Sequence, residues 1–197
     1  MPVLYYVRHG LTAWNAESRL QGRHDVPLIA QGRSQAARSG NILNDLFERD
    51  GRAPADLGYV SSPLVRASAT MEVVRQTLGL PADGYAVDER LAEISFGDWE
   101  GLTYDDVLKR DPDIVSTREH NKWTFRPPGG ETYVEVAERA GAWYVSLDKD
   151  TVVTAHGGTA RALVAYLGVA PPEKAVHYSI DQGVVYVFEG RRLARYG

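Results

Sequence analysis

Val3-Leu4-Tyr5-Tyr6-Val7-Arg8-His9-Gly10 is an unbroken apolar run that stops at an arginine, a histidine and a glycine. A short apolar run without polar alternation reads as a strand covered on both faces. Thr151-Val152-Val153-Thr154-Ala155-His156-Gly157-Gly158 has the same form. Two such runs, each ending in a histidine and glycine, predict strands covered on both faces in an α/β sheet, with their polar residues on one edge. Imidazole is a nucleophile, guanidinium is a forked anion receptor, and glycine lets backbone approach closely. Arg8-His9-Gly10 therefore fits attack on a bound phosphate.

The rest of the chain supplies the helices that such a sheet needs. Further strands are expected at 57–61, 85–88 and 184–189, with a short last strand at 192–196. Helices are expected at 31–49, 63–80, 103–110, 132–147 and 158–167. In 63–80, Leu64, Ala67, Met71, Val74 and Leu78 form one apolar stripe. Ser62 is expected to cap that helix and Pro63 to occupy its first turn. Thr132 with Glu135 makes a capping box for 132–147. Segment 111–130 holds Pro112, Pro127, Pro128, Trp123 and Phe125 and is long for a plain connection. It reads either as a flap over a site or as an ordered excursion whose aromatics pack on the core. The flap reading places Trp123, Phe125 or Arg126 at the site.

The 197 residues suit one domain, 1–197, with no repeat or low-complexity linker to divide it. Hydrophobic residues make up 44% and charged residues 24%, as in globular chains. The net charge of −4 offers no general attraction for nucleic acid or anionic membrane. An anion site must be built locally from converging basic residues. The absence of cysteine excludes disulfides, thiolate metal sites and a cysteine nucleophile. No signal-like segment and no run near the ~18 apolar residues of a membrane span stand out. A cytoplasmic protein without membrane or nucleic-acid partners is the expectation; a homodimer is left open.

Polar residues following each strand collect on one edge. Arg8 and His9 follow the first, Ser61, Ser62 and then Arg66 the second, Glu89, Arg90 and Glu93 the third, and His156 and Gly157 the fourth. Two arginines beside an imidazole disfavour its protonation and keep its lone pair available. The same arginines would hold phosphate oxygens and stabilise charge in the transition state. Backbone N–H groups after His156, at a helix start, favour anions. Glu93 is a candidate general acid.

In this setting the chain resembles the histidine phosphatase superfamily, its phosphoglycerate mutase-like branch. The resemblance rests on Arg8-His9-Gly10 with Thr12, Trp14 and Asn15, on Gln21-Gly22, Leu28 and Gly32, and on Ser62-Pro63-Leu64 with Arg66, Ala67 and Thr70. Leu91-Ala92-Glu93-Ile94-Ser95-Phe96-Gly97-Asp98-Trp99-Glu100-Gly101, Pro128-Gly129-Gly130-Glu131-Thr132 and Ala155-His156-Gly157-Gly158 complete it, in the family's order. It implies a three-layer α/β/α fold whose mainly parallel sheet has one antiparallel strand. It implies that His9 is the nucleophile and becomes phosphohistidine. Arg8, Arg66 and His156 would form the phosphate pocket with Asn15, and Glu93 would be the proton donor. Thr12, Gln21, Gly22 and Gly157 would lie at phosphate or substrate, and neither metal nor cofactor is implied.

Leu11 departs from the family, which often carries glutamate or glutamine there. Ile94 to Gly101 follows the pattern of small phosphatases and of the alpha-ribazole phosphatase type. Basic residues to grip a glycerate carboxylate are not evident. The reading favours hydrolysis of a small phosphomonoester. A cofactor-dependent phosphoglycerate mutase and a non-catalytic phosphoprotein-binding module are the alternatives. A metallohydrolase is disfavoured because no histidine pair has i,i+4 spacing. His24, His120 and His177 match no catalytic position and read as structural or surface residues.

Overall fold

A computed structural model describes residues 2–197. The strands are β1 (Leu4–Arg8), β2 (Gly58–Ser61), β3 (Ala86–Val87), β4 (Thr151–Ala155), β5 (Val185–Glu189) and β6 (Arg192–Tyr196). They form one sheet in the order β3-β2-β4-β1-β5-β6. The β1–β4, β2–β4 and β2–β3 pairs are parallel, and β5 pairs antiparallel with both β1 and β6. Only β5 therefore runs against the rest, as the resemblance implied.

Helices cover both faces. They are α1 (Ala13–Ala16), α2 (Ala30–Arg49), α3 (Val65–Thr77), α4 (Tyr104–Arg110), α5 (Pro112–His120), α6 (Tyr133–Val145), α7 (Gly157–Tyr166) and α8 (Pro172–Ala175). The reason lies in β1. Tyr5 and Val7 pack with Leu43, Phe47, Met71 and Val74 of α2 and α3. Leu4 and Tyr6 point the other way, to Trp143 and Tyr144 of α6 and Leu163 and Val164 of α7. Each such side chain stabilises the fold by roughly 1.5–3 kcal/mol relative to exposure. Alternation across a strand puts these two sets on opposite faces, so β1 lies between two helical layers, and pairing with β4 and β5 places it inside the sheet.

Local signals account for most helix ends. Thr132 and Glu135 form the expected capping box at α6, and Thr103 with Asp106 does the same for α4. Helix α3 differs from expectation: it starts at Val65 and has no side-chain cap from its preceding residue. Asp25 Oδ1 instead accepts the Val65 N–H at 2.9 Å. Ser62 is engaged by His156, so a residue that reads as a cap is used by the site.

Segment 111–130 is not an open loop, because nine of its residues form α5. Its aromatics face the interior. Phe125 stacks on Trp99 with centroids 5.6 Å apart, and Trp123 on Tyr133 at 6.0 Å. Arg126 pairs with Glu135 at 2.7 Å. The packed excursion, not the flap, describes this segment.

Candidate active site

Strand register assembles the site. Arg8 lies opposite Ala155 and Ser61 opposite Thr154. The next residues carry the same alignment beyond the sheet. The His9 N–H donates to the Ala155 carbonyl and the Ser62 N–H to the Thr154 carbonyl, each at 2.9 Å. His9, Ser62 and His156, distant in sequence, thus leave three adjacent strands at one level. The His9 and His156 rings stand 5.2 Å apart.

His9 is buried, and its Nδ1–H donates to the Gly10 carbonyl at 2.8 Å. That bond fixes the tautomer, leaving the lone pair on Nε2. Burial, then the charges of Arg66 and Arg8, hold the imidazole well below its ordinary 6.5. Gly10 also donates its N–H to Thr70 Oγ1 at 3.0 Å. A Cβ on Gly10 would stand 2.1 Å from the Gly32 carbonyl oxygen. Glycine is thus required where the nucleophile's loop crosses the start of α2.

His156 is fully buried. The Tyr6 hydroxyl donates to its carbonyl at 2.6 Å and accepts its N–H at 2.9 Å. Its Nε2 meets Ser62 Oγ at 2.6 Å. With the Ser62 hydroxyl donating to Nε2, the His156 proton resides on Nδ1. Burial, then chiefly the charge of Arg66 with that of Arg8, holds this ring well below 6.5 too.

The two arginines are held by carbonyls rather than carboxylates. Arg66, at 0% exposure, donates Nη1 to the His24 carbonyl at 2.7 Å and Nη2 to the Gly22 carbonyl at 2.8 Å. Arg8 donates Nη1 to the Ile180 carbonyl at 2.7 Å. Carbonyl partners orient a guanidinium without cancelling its charge. Glu100 supports the Arg66 loop. It accepts the Arg23 N–H at 3.2 Å and meets His24 Nδ1 at 2.7 Å.

Among the described residues, the buried side-chain polar atoms without a partner are Arg8 Nε, Gln21 Oε1, Arg66 Nε and His156 Nδ1. An unmade buried hydrogen bond costs about 1–3 kcal/mol. Chance would not gather all of them around His9. Arg8, Gln21 and Arg66 line a cavity of about 150 Å³ with His9, Asn15, Gly22, Glu93 and Gly157, together with Arg19, Leu20, Phe96 and Arg161, and His156 stands beside His9. Two unpartnered guanidinium N–H donors and an imidazole lone pair at one small cavity suit a tetrahedral oxyanion.

Most expected site residues therefore come together. His156 sits just behind the lining, with Nδ1 unpartnered. Thr12 does not line the cavity. It caps α1 and bonds Asn15. Asn15 Oδ1 is occupied by Thr12 and by Gln182 Nε2, which leaves its amide nitrogen to the cavity. Glu93 Oε1 accepts the Ile94 and Thr159 N–H groups at 3.0 and 3.2 Å, and Oε2 accepts that of Gly158 at 3.2 Å. The start of α7 thus holds this carboxylate against the cavity wall. Trp123, Phe125 and Arg126 do not line it. Their apolar area is used in the core, and Arg126 is spent on Glu135.

Sequence reasoning gave no site role to Tyr6, Thr70, Glu100, Arg19 or Arg161, although Thr70 and Glu100 lie in the motifs. Tyr6 reads as an ordinary strand residue. Arg161 had a signal: it is four positions after Gly157, one helical turn along the same face. Among the described residues, no three His, Cys, Asp or Glu side chains gather as metal ligands. Among the same residues, no helix is long and apolar enough to cross a membrane.

The chain is similar in sequence and in fold to known proteins. The chain is 35% identical over 177 residues to a glucosyl-3-phosphoglycerate phosphatase of Mycolicibacterium vanbaalenii, covering 83% of this chain and 73% of that one. It is 30% identical to a 2,3-bisphosphoglycerate-dependent phosphoglycerate mutase of Afipia carboxidovorans, covering 96% and 92%. A solved mycobacterial glucosyl-3-phosphoglycerate phosphatase superposes with a TM-score of 0.79 at 31% identity, covering 94% and 89%. The profile of the histidine phosphatase superfamily, branch 1, matches residues 4–193. With a profile match over residues 4–193 and relatives at 30% identity or more, the chain belongs to the histidine phosphatase superfamily.

Proposed function

We propose that the protein hydrolyses small phosphomonoesters through a phosphohistidine on His9. The observation that carries this reading is the set of unpartnered Arg8 Nε, Arg66 Nε and His156 Nδ1 around His9. Each would donate to a phosphate oxygen. His9 Nε2 attacks phosphorus, an N–P bond forms, and the P–O ester bond breaks. Glu93 gives its proton to the leaving oxygen. The resulting carboxylate then takes a proton from water as that water attacks phosphohistidine. The N–P bond breaks, its electron pair returns to Nε2, and inorganic phosphate leaves. The positive donors stabilise charge that grows on the phosphoryl oxygens.

A neutral His9 is required for attack, and its lowered pKa supports this role. The phosphatase relatives favour water as acceptor, and the mutase relatives raise a bound hydroxyl as the alternative. The test is rapid quench with a ³²P-labelled phosphomonoester, followed by alkaline peptide mapping. Acid-labile label on His9 and release of inorganic phosphate are expected. Turnover that survives His9→Ala refutes the reading. Isomerised ester without inorganic phosphate would establish the mutase instead.

A further inference from the structure

Two carbonyls orient Arg66, those of Gly22 and His24. The residue between them, Arg23, does not line the cavity. Its Nη2 donates to Glu131 Oε1 at 2.9 Å. Glu131 is largely buried and does not line the cavity either. Both of its oxygens are fully engaged. Oε1 also accepts from Arg139 Nε at 3.2 Å. Oε2 accepts from Arg139 Nη2 at 3.2 Å and from the Ser95 N–H at 2.9 Å. Four donors thus meet the four lone-pair sites of one carboxylate.

Arg139 carries the arrangement to Glu93. Its Nη1 donates to the Arg90 and Ala92 carbonyls, both at 2.7 Å, and Nη2 to the Glu93 carbonyl at 3.2 Å. The backbone that presents Glu93 is therefore held by the Glu131–Arg139 pair. Backbone contact in turn fixes Glu131. Its N–H donates to the Ser95 carbonyl at 2.9 Å, and a Cβ on the preceding Gly130 would stand 2.6 Å from the same oxygen. Only glycine permits that approach. Glu100 links the same two loops through the Arg23 and Phe96 N–H groups. Only the Glu131 link continues through Arg139 to the Glu93 backbone.

Resting on the hydrolase reading for the roles of Arg66 and Glu93, we propose that Glu131 is a positioning residue. With Arg23 and Arg139 it locks the loop that orients Arg66 to the loop that carries Glu93. The phosphate seat and the proton donor then keep one relative geometry. Glutamine cannot replace it, because an amide offers one acceptor atom where the four donors need two. An ion pair in such a place adds little net stability, so its loss should be read in the chemistry more than in the melt.

The test uses Glu131→Gln, Arg23→Ala and Arg23→Lys. Glu131→Gln should lower kcat for glycerol 3-phosphate by a factor on the order of 10–10². The loss should be far smaller for p-nitrophenyl phosphate, whose leaving group needs little protonation. In a Glu93→Gln background the added loss should vanish, since both residues act through one proton transfer. Calorimetry with inorganic phosphate reports on the other loop. Arg23→Ala and Glu131→Gln should raise Kd severalfold, and Arg23→Lys, which keeps an N–H donor, should restore most of the affinity. A loss equal for both esters, a loss that persists in Glu93→Gln, or an unchanged phosphate Kd overturns the inference while hydrolysis itself stands. If wild type hydrolyses neither ester, the hydrolase reading fails. In that case, or if only the aryl ester is cleaved, the phosphate Kd alone decides the positioning role. If Glu131→Gln does not fold, the two Arg23 variants make the same decision through Kd.

Discussion

Acidification should weaken this fold through its two buried histidines before most carboxylates respond. His9 and His156 are both held well below 6.5 in the folded state. The unfolded chain therefore binds more protons, and stability rises with pH. The contribution is complete above 6.5 and is lost as pH falls from 6.5 toward the folded values. One pH unit below 6.5, each histidine has cost about 1.4 kcal/mol, or about 3 kcal/mol together. Against a typical ~5–15 kcal/mol of net stability this is a large fraction. The assay is urea unfolding at several pH values between about 5.5 and 7.5, in wild type and His9→Gln. Wild type should show a slope approaching two protons, and His9→Gln a slope approaching one. Subtracting the curves removes every group that the two proteins share. Identical slopes would show that His9 takes up its proton in the folded state, and the neutral nucleophile would be wrong.

Arg66→Ala should lower kcat on the order of 10²–10³, as for other charge-stabilising donors; steady-state kinetics giving less than tenfold would remove it from the phosphate set. Glu93→Gln should slow alkyl phosphates far more than p-nitrophenyl phosphate, whose leaving group needs little protonation, and equal losses would deny Glu93 the proton. Gly10→Ala places a Cβ 2.1 Å from the Gly32 carbonyl, so its melting temperature should fall by several degrees and kcat with it. An unchanged melt would mean that the loop does not need that close approach.

The strand ends show how far sequence reached. Continuous apolar runs mark β1 and β4 because a strand between two helical layers needs no polar face, and the histidines follow them directly. The stripe of α3 and the cap of α6 are equally local, since each depends on neighbours three or four residues away. Ser62 and segment 111–130 were not legible in this way. Both conform to a familiar local pattern, a cap and a loop, and both are claimed by partners elsewhere in the fold.

The chain by itself determined the α/β alternation, the strand-end positions of His9 and His156, and the family to which those motifs belong. Tertiary structure decided which polar atoms go unpartnered. The Arg66 guanidinium is turned by carbonyls 42 and 44 residues away, and Ser62 meets His156 across 94. It also brought Arg161 to the cavity wall and sent Trp123 and Phe125 against the core. Spacing records which face an element buries. Only the complete set of long-range hydrogen bonds records which donors remain to hold a substrate.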